Sequence, residues 1–228
     1  QWTINHLNDA NSNRVIFNRI NKSLKVEDLS LESEEQYLKV SGLFNNNVDY
    51  NFNADFKDLH LEKIIPKTLL NNLKIVGIAN GKVDIIRTKE KLEPTLEAKI
   101  DKLGLNDFEL GNLTLQGGYN VADKQFNFET SLQKEQIQSL VAYGNIINKP
   151  TGPEVDVDAN FDEFHIDFLE GFLKSVFSNM RGTLSGDLKI TGPIDLPNLS
   201  GNMIAKDLGL KVNFLGTDYL FEGENDLF

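Results

Sequence analysis

An internal repeat limits what this chain can fold into more than any other feature. Ala54-Asp55-Phe56-Lys57-Asp58-Leu59-His60-Leu61 lines up with Ala159-Asn160-Phe161-Asp162-Glu163-Phe164-His165-Ile166 at an offset of 105 residues. The same offset carries Gly77 to Gly182, Gly81 to Gly186, Val83 to Leu188 and Ile85 to Ile190. It also carries Leu103-Gly104-Leu105 to Leu208-Gly209-Leu210 and Leu110-Gly111 to Leu215-Gly216. A weaker echo at an offset of 102 relates Leu38-x-Val40-x-Gly42 to Leu140-x-Ala142-x-Gly144. Such self-similarity implies stacked copies of one unit that share an apolar surface. The expected organisation is an unassigned N-terminal stretch of strands over 1–36, a first unit over 37–139 and a second, truncated unit over 140–228. A start at Gln1-Trp2-Thr3 without Met, and an end still alternating at Phe221 to Phe228, read as a piece of a longer protein.

Inside the units the dominant pattern is alternation of apolar and polar residues, which predicts strands with one buried and one wet face. It runs through Phe52-x-Ala54-x-Phe56, Leu96-x-Ala98-x-Ile100, Phe126-x-Phe128 and Val155-x-Val157-x-Ala159-x-Phe161. It continues through Leu184 to Ile190, Leu199 to Ala205, and Leu208-x-Leu210-x-Val212-x-Phe214. Turn signals fall at Gly117-Gly118, Ala122-Asp123-Lys124, Asn148 to Pro153 and Asp195 to Asn198. Two stretches instead place apolar residues three and four apart, predicting short amphipathic helices near 61–73, where Pro66 must sit in a first turn or break the segment, and near 168–177. The expected fold is mainly β: an elongated, curved antiparallel repeat sheet with two short helices.

Charge and composition remove several functions. Among 228 residues, 34 acidic side chains against 23 basic ones give a net charge of −11, which repels a phosphate backbone and argues against a nucleic-acid partner. With no cysteine there is no disulfide framework, thiolate metal site or cysteine nucleophile. No uninterrupted apolar run approaches the roughly 18 residues of a membrane-spanning helix.

Motifs that carry chemistry elsewhere have simpler explanations here. His60 and His165 occupy equivalent repeat positions with no convergent ligands or nucleophile, so a structural role at a strand-to-helix junction is expected. Asp156-x-Asp158-x-Asn160-x-Asp162 lacks the glycine and the final glutamate of a calcium loop and reads as the wet face of a strand. Glu32-x-Glu34-Glu35 reads as a solvated turn. Gly77-x-x-x-Gly81 and Gly182-x-x-x-Gly186 lack the companions of a phosphate loop. They suit bends or close backbone approach. Without a Gly-x-Ser-x-Gly elbow or a separable acid/base pair, a non-enzymatic protein with no metal and no cofactor is expected. The 15 Phe against 5 Tyr and one Trp make a greasy face that suits either a closed sandwich core or an open groove.

The run Gly186-Asp187-Leu188-Lys189-Ile190-Thr191-Gly192 through Pro197-Asn198-Leu199-Ser200-Gly201, then Leu208-Gly209-Leu210 and Tyr219-Leu220-Phe221, resembles the repeating pattern of TamB-like proteins in the wider AsmA-like envelope group. The first unit matches more loosely at Gly81 to Ile85, Pro94 to Ala98 and Leu103 to Leu105. The resemblance implies a folded-over sheet, the β-taco, in a periplasmic protein of gram-negative bacteria anchored in the inner membrane. It implies phospholipid as cargo, an Omp85-type outer-membrane protein as partner of the full-length chain, and a link to outer-membrane protein assembly and secretion. The helical segments depart from the plain groove pattern and would plug or cap it.

An acyl chain of sixteen carbons faces a barrier on the order of 12 kcal/mol in water, at roughly 0.8 kcal/mol per methylene, which a continuous apolar stripe removes. The expected lining is Phe52, Phe56, Leu96, Ile100, Phe126, Phe128, Val155, Val157 and Phe161 from the first part of the chain. Leu184, Leu188, Ile190, Leu199, Met203, Leu210, Val212 and Phe214 complete it. Competing expectations are a scaffold that captures nascent outer-membrane strands by edge addition, and a closed sandwich serving as spacer or adhesin.

Overall fold

The computed structural model describes residues 2–4, 13–45, 50–65, 74–88, 92–106 and 108–226. Period-two patterning alternates with turn residues along the chain, and each hairpin pairs a strand with the one before it. The product, among the described residues, is one curved antiparallel sheet of 14 strands. Its strands are β1 (Thr3–Ile4), β2 (Arg14–Asn18), β3 (Ser23–Ser33), β4 (Gln36–Phe44), β5 (Tyr50–His60), β6 (Ile75–Arg87) and β7 (Leu92–Leu105). They continue as β8 (Phe108–Asn120), β9 (Gln125–Lys134), β10 (Ile137–Lys149), β11 (Gly152–His165), β12 (Phe177–Pro193), β13 (Asn198–Val212) and β14 (Thr217–Asp226). From β3 onward spatial order equals chain order, while β1 and β2 both pair with β3 at different points along it.

The repeat is visible in the backbone. Adding 105 to the ranges of β5, β6, β7 and β8 lands within a few residues of β11, β12, β13 and β14. Asp58 and Glu163 both take positive φ, 51° and 44°, at bulges where three residues of one strand span two of the next. A bulge leaves one N–H without a ladder partner. In the first unit the Asp58 N–H donates to Asn80 Oδ1 at 3.0 Å, and in the second the Glu163 N–H donates to Ser185 Oγ at 3.0 Å, again 105 residues on. Lys102 and Asp207 form a second pair of bulges at φ 52° and 51°. Because each bulge inserts one residue, the apolar residues change parity without changing face. Leu199 to Ala205 and Leu208 to Val212, which read as two strands, are therefore one strand bent at Asp207.

Curvature needs residues without a side chain at the bends. Gly186 sits at φ +128°, and a Cβ there would drive into the carbonyl oxygen of Asn202 on the adjacent strand. Its counterpart Gly81, at φ +157°, would strike the carbonyl oxygen of Glu97. Gly117-Gly118, expected as a turn, lies inside β8. Gly117 opposes Phe128, and the Phe126 ring lies close enough to stand 2.6 Å from a Cβ placed on Gly117, so an aromatic covers the gap that glycine leaves.

The helical segments are shorter than their periodicity suggests. The first comprises α1 (Leu61–Ile64), and the rest of 61–73 falls mostly outside the described residues. The second is a 3-10 turn (Asp167–Leu169) running into α2 (Glu170–Leu173), with turns over 174–176. Phe177, expected in that helix, instead opens β12 opposite Val212. One helical turn cannot hold itself in water, and sheet pairing outcompetes it.

Candidate functional site

Directly opposed residues in an antiparallel sheet share a face, so the pairing register sorts the molecule into two surfaces. One row crosses eleven strands, β3 to β13: Leu29, Val40, Ala54, Val83, Leu96, Gly117, Phe128, Gly144, Val157, Ile190 and Leu199. Every member is apolar or glycine. A parallel row two residues along contains Leu38, Phe56, Ala98, Leu115, Ala142, Ala159 and Leu188, with Thr130 of β9 as its polar member. On the opposite face the corresponding row reads Lys39, Asp55, Lys82, Glu97, Gln116, Glu129, Tyr143, Asp158, Lys189 and Ser200. One face of the sheet is greasy across its width and the other is wet.

The wet face is laced by short polar contacts. Lys82 pairs with Glu97 at 3.2 Å, Gln116 Nε2 donates to Glu129 at 2.9 Å, and Lys189 contacts both Asp156 and Asp158, the latter at 2.8 Å. Hydrogen bonds to Asp156 and then Asp158 push the Lys189 amine above its ordinary range. These partners explain the acidic run 156–162: it is the outer surface of β11, with Asn160 donating to Asp187 at 2.9 Å. The Glu34-Glu35 pair is an exposed hairpin turn.

Among the described residues all strands belong to one sheet, and no second sheet lies over the apolar face. Among the described residues no large side chain is fully buried. The accessible surface of 14625 Å² exceeds the roughly 10,000 Å² expected of a compact monomer of this mass. What packing exists is lateral, as where Ala142, Val157 and Ala159 are buried beneath Phe128, Leu140, Val155, Phe161 and Ile190. The 3-10 turn after β11 touches β8, three strands away. At about 4.8 Å per strand a flat sheet would hold them roughly 14 Å apart, so the apolar face is concave there. It forms a trough.

Of the seventeen residues expected to line a groove, sixteen occupy apolar-face positions. Phe52 opposes Ile85, Ile100 opposes Ala79 and Leu113, Phe126 opposes Ile146, Val155 opposes Ile146, and Phe161 opposes Leu140. Leu184 opposes Ala205, Met203 opposes Gly186, and Leu210 and Val212 continue the face beyond the Asp207 bulge. Phe214 is the exception: β13 ends at Val212, and Phe214 stands 80% exposed in the turn that follows. Extending the alternation one step too far put it on the face. Val40, Val83, Leu113, Leu115, Leu132 and Ile146 share the surface as well, and the signal that finds them is their register opposite residues already assigned to it.

The two histidines differ in detail. His60 donates its backbone N–H to Oε1 of the buried Gln36 at 3.0 Å, and its Nδ1 lies 3.2 Å from Glu62 Oε1. His165 is exposed at the end of β11. Beside it Phe161, Phe164 and Phe168 stack edge to face, with centroids 5.3 and 5.5 Å apart, and bring the 3-10 turn onto the trough's rim. Among the described residues no group of three or more acidic and histidine side chains is gathered to hold a metal. No helix among them is long and apolar enough to cross a membrane. Comparison with protein-family models, curated proteins and solved structures finds no significant match.

Proposed function

We propose that this chain is a segment of a TamB-like, AsmA-like lipid-transfer protein that carries phospholipid acyl chains along the apolar trough between inner and outer membranes. The observation that carries this reading is the eleven-strand row, apolar or glycine at every position, with no second sheet over it among the described residues. Eleven strands spaced about 4.8 Å apart make a path of roughly 48 Å. One leaflet of a bilayer's hydrocarbon core is about 15 Å, so an acyl chain would keep apolar contact throughout while moving. Similar side chains on successive strands give the acyl chain no deep resting point, and the polar headgroup stays off the apolar surface, at the rim or beyond it. The sequence resemblance supplies the setting: the periplasm of a gram-negative bacterium, an inner-membrane anchor and an Omp85-type partner on the full-length protein. No step of this role requires catalysis.

Replacing Leu96 and Leu188 with Glu puts charge at two mid-trough positions that are already part-exposed. Native mass spectrometry of wild type after incubation with phospholipid vesicles should show retained lipid. The double variant, with strand content unchanged by circular dichroism, should retain at least about tenfold less, because a buried carboxylate opposes acyl contact by more than 1.4 kcal/mol. Equal retention in a folded variant contradicts the reading.

A further inference from the structure

Where the strand ends of β8 to β11 meet the 3-10 turn, a cavity of about 140 Å³ lies in the trough's rim. That is about ten times the space one water requires. Its apolar walls are Leu110, Leu132, Ile137 and Phe164. Leu132 opposes Leu113 and Leu140, and Phe164 opposes Leu184, so the walls belong to the trough's own apolar surface. Apart from Ser139 and His165, the remainder of the lining is charged. Glu109, Glu135, Glu163 and Asp167 contribute four carboxylates against the single ammonium of Lys134, with His165 beside them. Among the described residues none of these five charged side chains joins an ion pair. That contrasts with the outer face, where Lys82, Lys99 and Lys189 each pair with an acid. The groups are too dispersed to hold a metal ion, which leaves an organic cation attached to something greasy.

We infer that this rim cavity receives the headgroup of a phospholipid bearing a primary ammonium, with its acyl chain continuing onto the trough. The inference rests on the lipid-carrying reading above and names the headgroup class the site takes. Carboxylates accept hydrogen bonds from an –NH3+ group and place opposite charge beside it. Lys134 offers the matching cation to the phosphate, and Leu132 and Phe164 meet the first methylenes. A quaternary ammonium has no N–H to donate, and a glycerol headgroup has no charge to satisfy the acids.

The test presents the purified chain with vesicles of equimolar phosphatidylethanolamine, phosphatidylglycerol and phosphatidylcholine, and quantifies retained lipid by mass spectrometry. Retained phosphatidylethanolamine should exceed each of the other two lipids about three- to tenfold, the preference that one or two partly screened ion pairs supply. The Glu135→Gln, Asp167→Asn double variant should bring the enrichment to about one while total lipid stays constant. Glu135→Gln alone, in an exposed hairpin turn, should lower it part-way without endangering the fold. Retention without headgroup preference, preference for phosphatidylglycerol or phosphatidylcholine, or a preference that survives the double variant overturns the inference and leaves the trough reading standing. A wild type that retains no lipid overturns both.

Discussion

The two repeat units share their bends and differ in what they place on the rim. Asp58 and Glu163 bulge alike, Asn80 and Ser185 satisfy the freed N–H alike, and Gly81 and Gly186 give way to the next strand alike. The segments after these bulges diverge. In the second unit Phe161, Phe164 and Phe168 form a stack that draws the 3-10 turn across to β8, whereas the equivalent positions in the first unit are Phe56, Leu59 and Lys63. Lys63 is exposed on α1, whose main contacts among the described residues are with its neighbours β5 and β6. Curving the sheet therefore does not depend on the insert. Backbone devices set the curvature, and the aromatic stack adds a lid to one of two otherwise similar stretches of trough.

The largest effect that could break this comparison belongs to the shared bends. Gly186→Val and Gly81→Val each impose backbone strain and a collision with a carbonyl oxygen, together about 3–5 kcal/mol, or roughly a 10 °C fall in melting temperature followed by circular dichroism. Gly118→Val is the control, since a Cβ there meets only a Thr95 methyl at 3.7 Å, and it should be neutral. A Gly186 variant that melts like wild type would mean that curvature does not pass through this residue.

A smaller effect should separate the units. Phe168→Ala removes the end of the aromatic stack and should lower stability by about 1–1.5 kcal/mol, or roughly 3–5 °C. Lys63→Ala, at the same repeat position, should change the melting temperature by less than about 1 °C. Equal losses would show that the stack gives the second unit nothing of its own.

The smallest effect lies on the wet face. Lys82→Met and Lys189→Met should each shift melting by no more than about 2 °C, because exposed ion pairs are screened. Lys189 should matter slightly more, since its loss leaves Asp156 and Asp158 facing each other. With its pKa raised in the folded state above the ordinary 10.5, the Lys189 contribution is fully present below 10.5 and is lost as pH rises through the raised value. Thermal melts of wild type and Lys189→Met should keep a constant gap between pH 7 and 10 and converge above that. A gap that closes on acidification would point to a different group.

Strand identity, face and repeat were legible because alternation and the 105-residue offset are both written residue by residue, as in Val155 to Phe161. Local pattern fails where the backbone changes phase. Asp207 adds one residue and reverses the parity of β13, which no local pattern announces, and Phe214 follows the old rhythm into a turn. Gly117-Gly118 carries the chemistry of a turn but is held straight by pairing on both sides and by the Phe126 ring. Phe177 has helical spacing yet finds Val212 across the sheet. Charge balance in the rim cavity was illegible for a different reason: Glu109, Glu135 and the segment 163–167 lie far apart in sequence and line one cavity only in the folded sheet.

The central claim is that the concave apolar face, and not the wet one, holds acyl chains along both units. Photo-crosslinking with a vesicle-delivered phospholipid that carries a diazirine in its acyl chain, followed by peptide mapping, tests it directly. Adducts on Leu96, Phe128 and Leu188 with none on Glu97, Gln116 or Lys189 are the predicted result. Adducts spread equally over both faces, or restricted to the outer one, would contradict it.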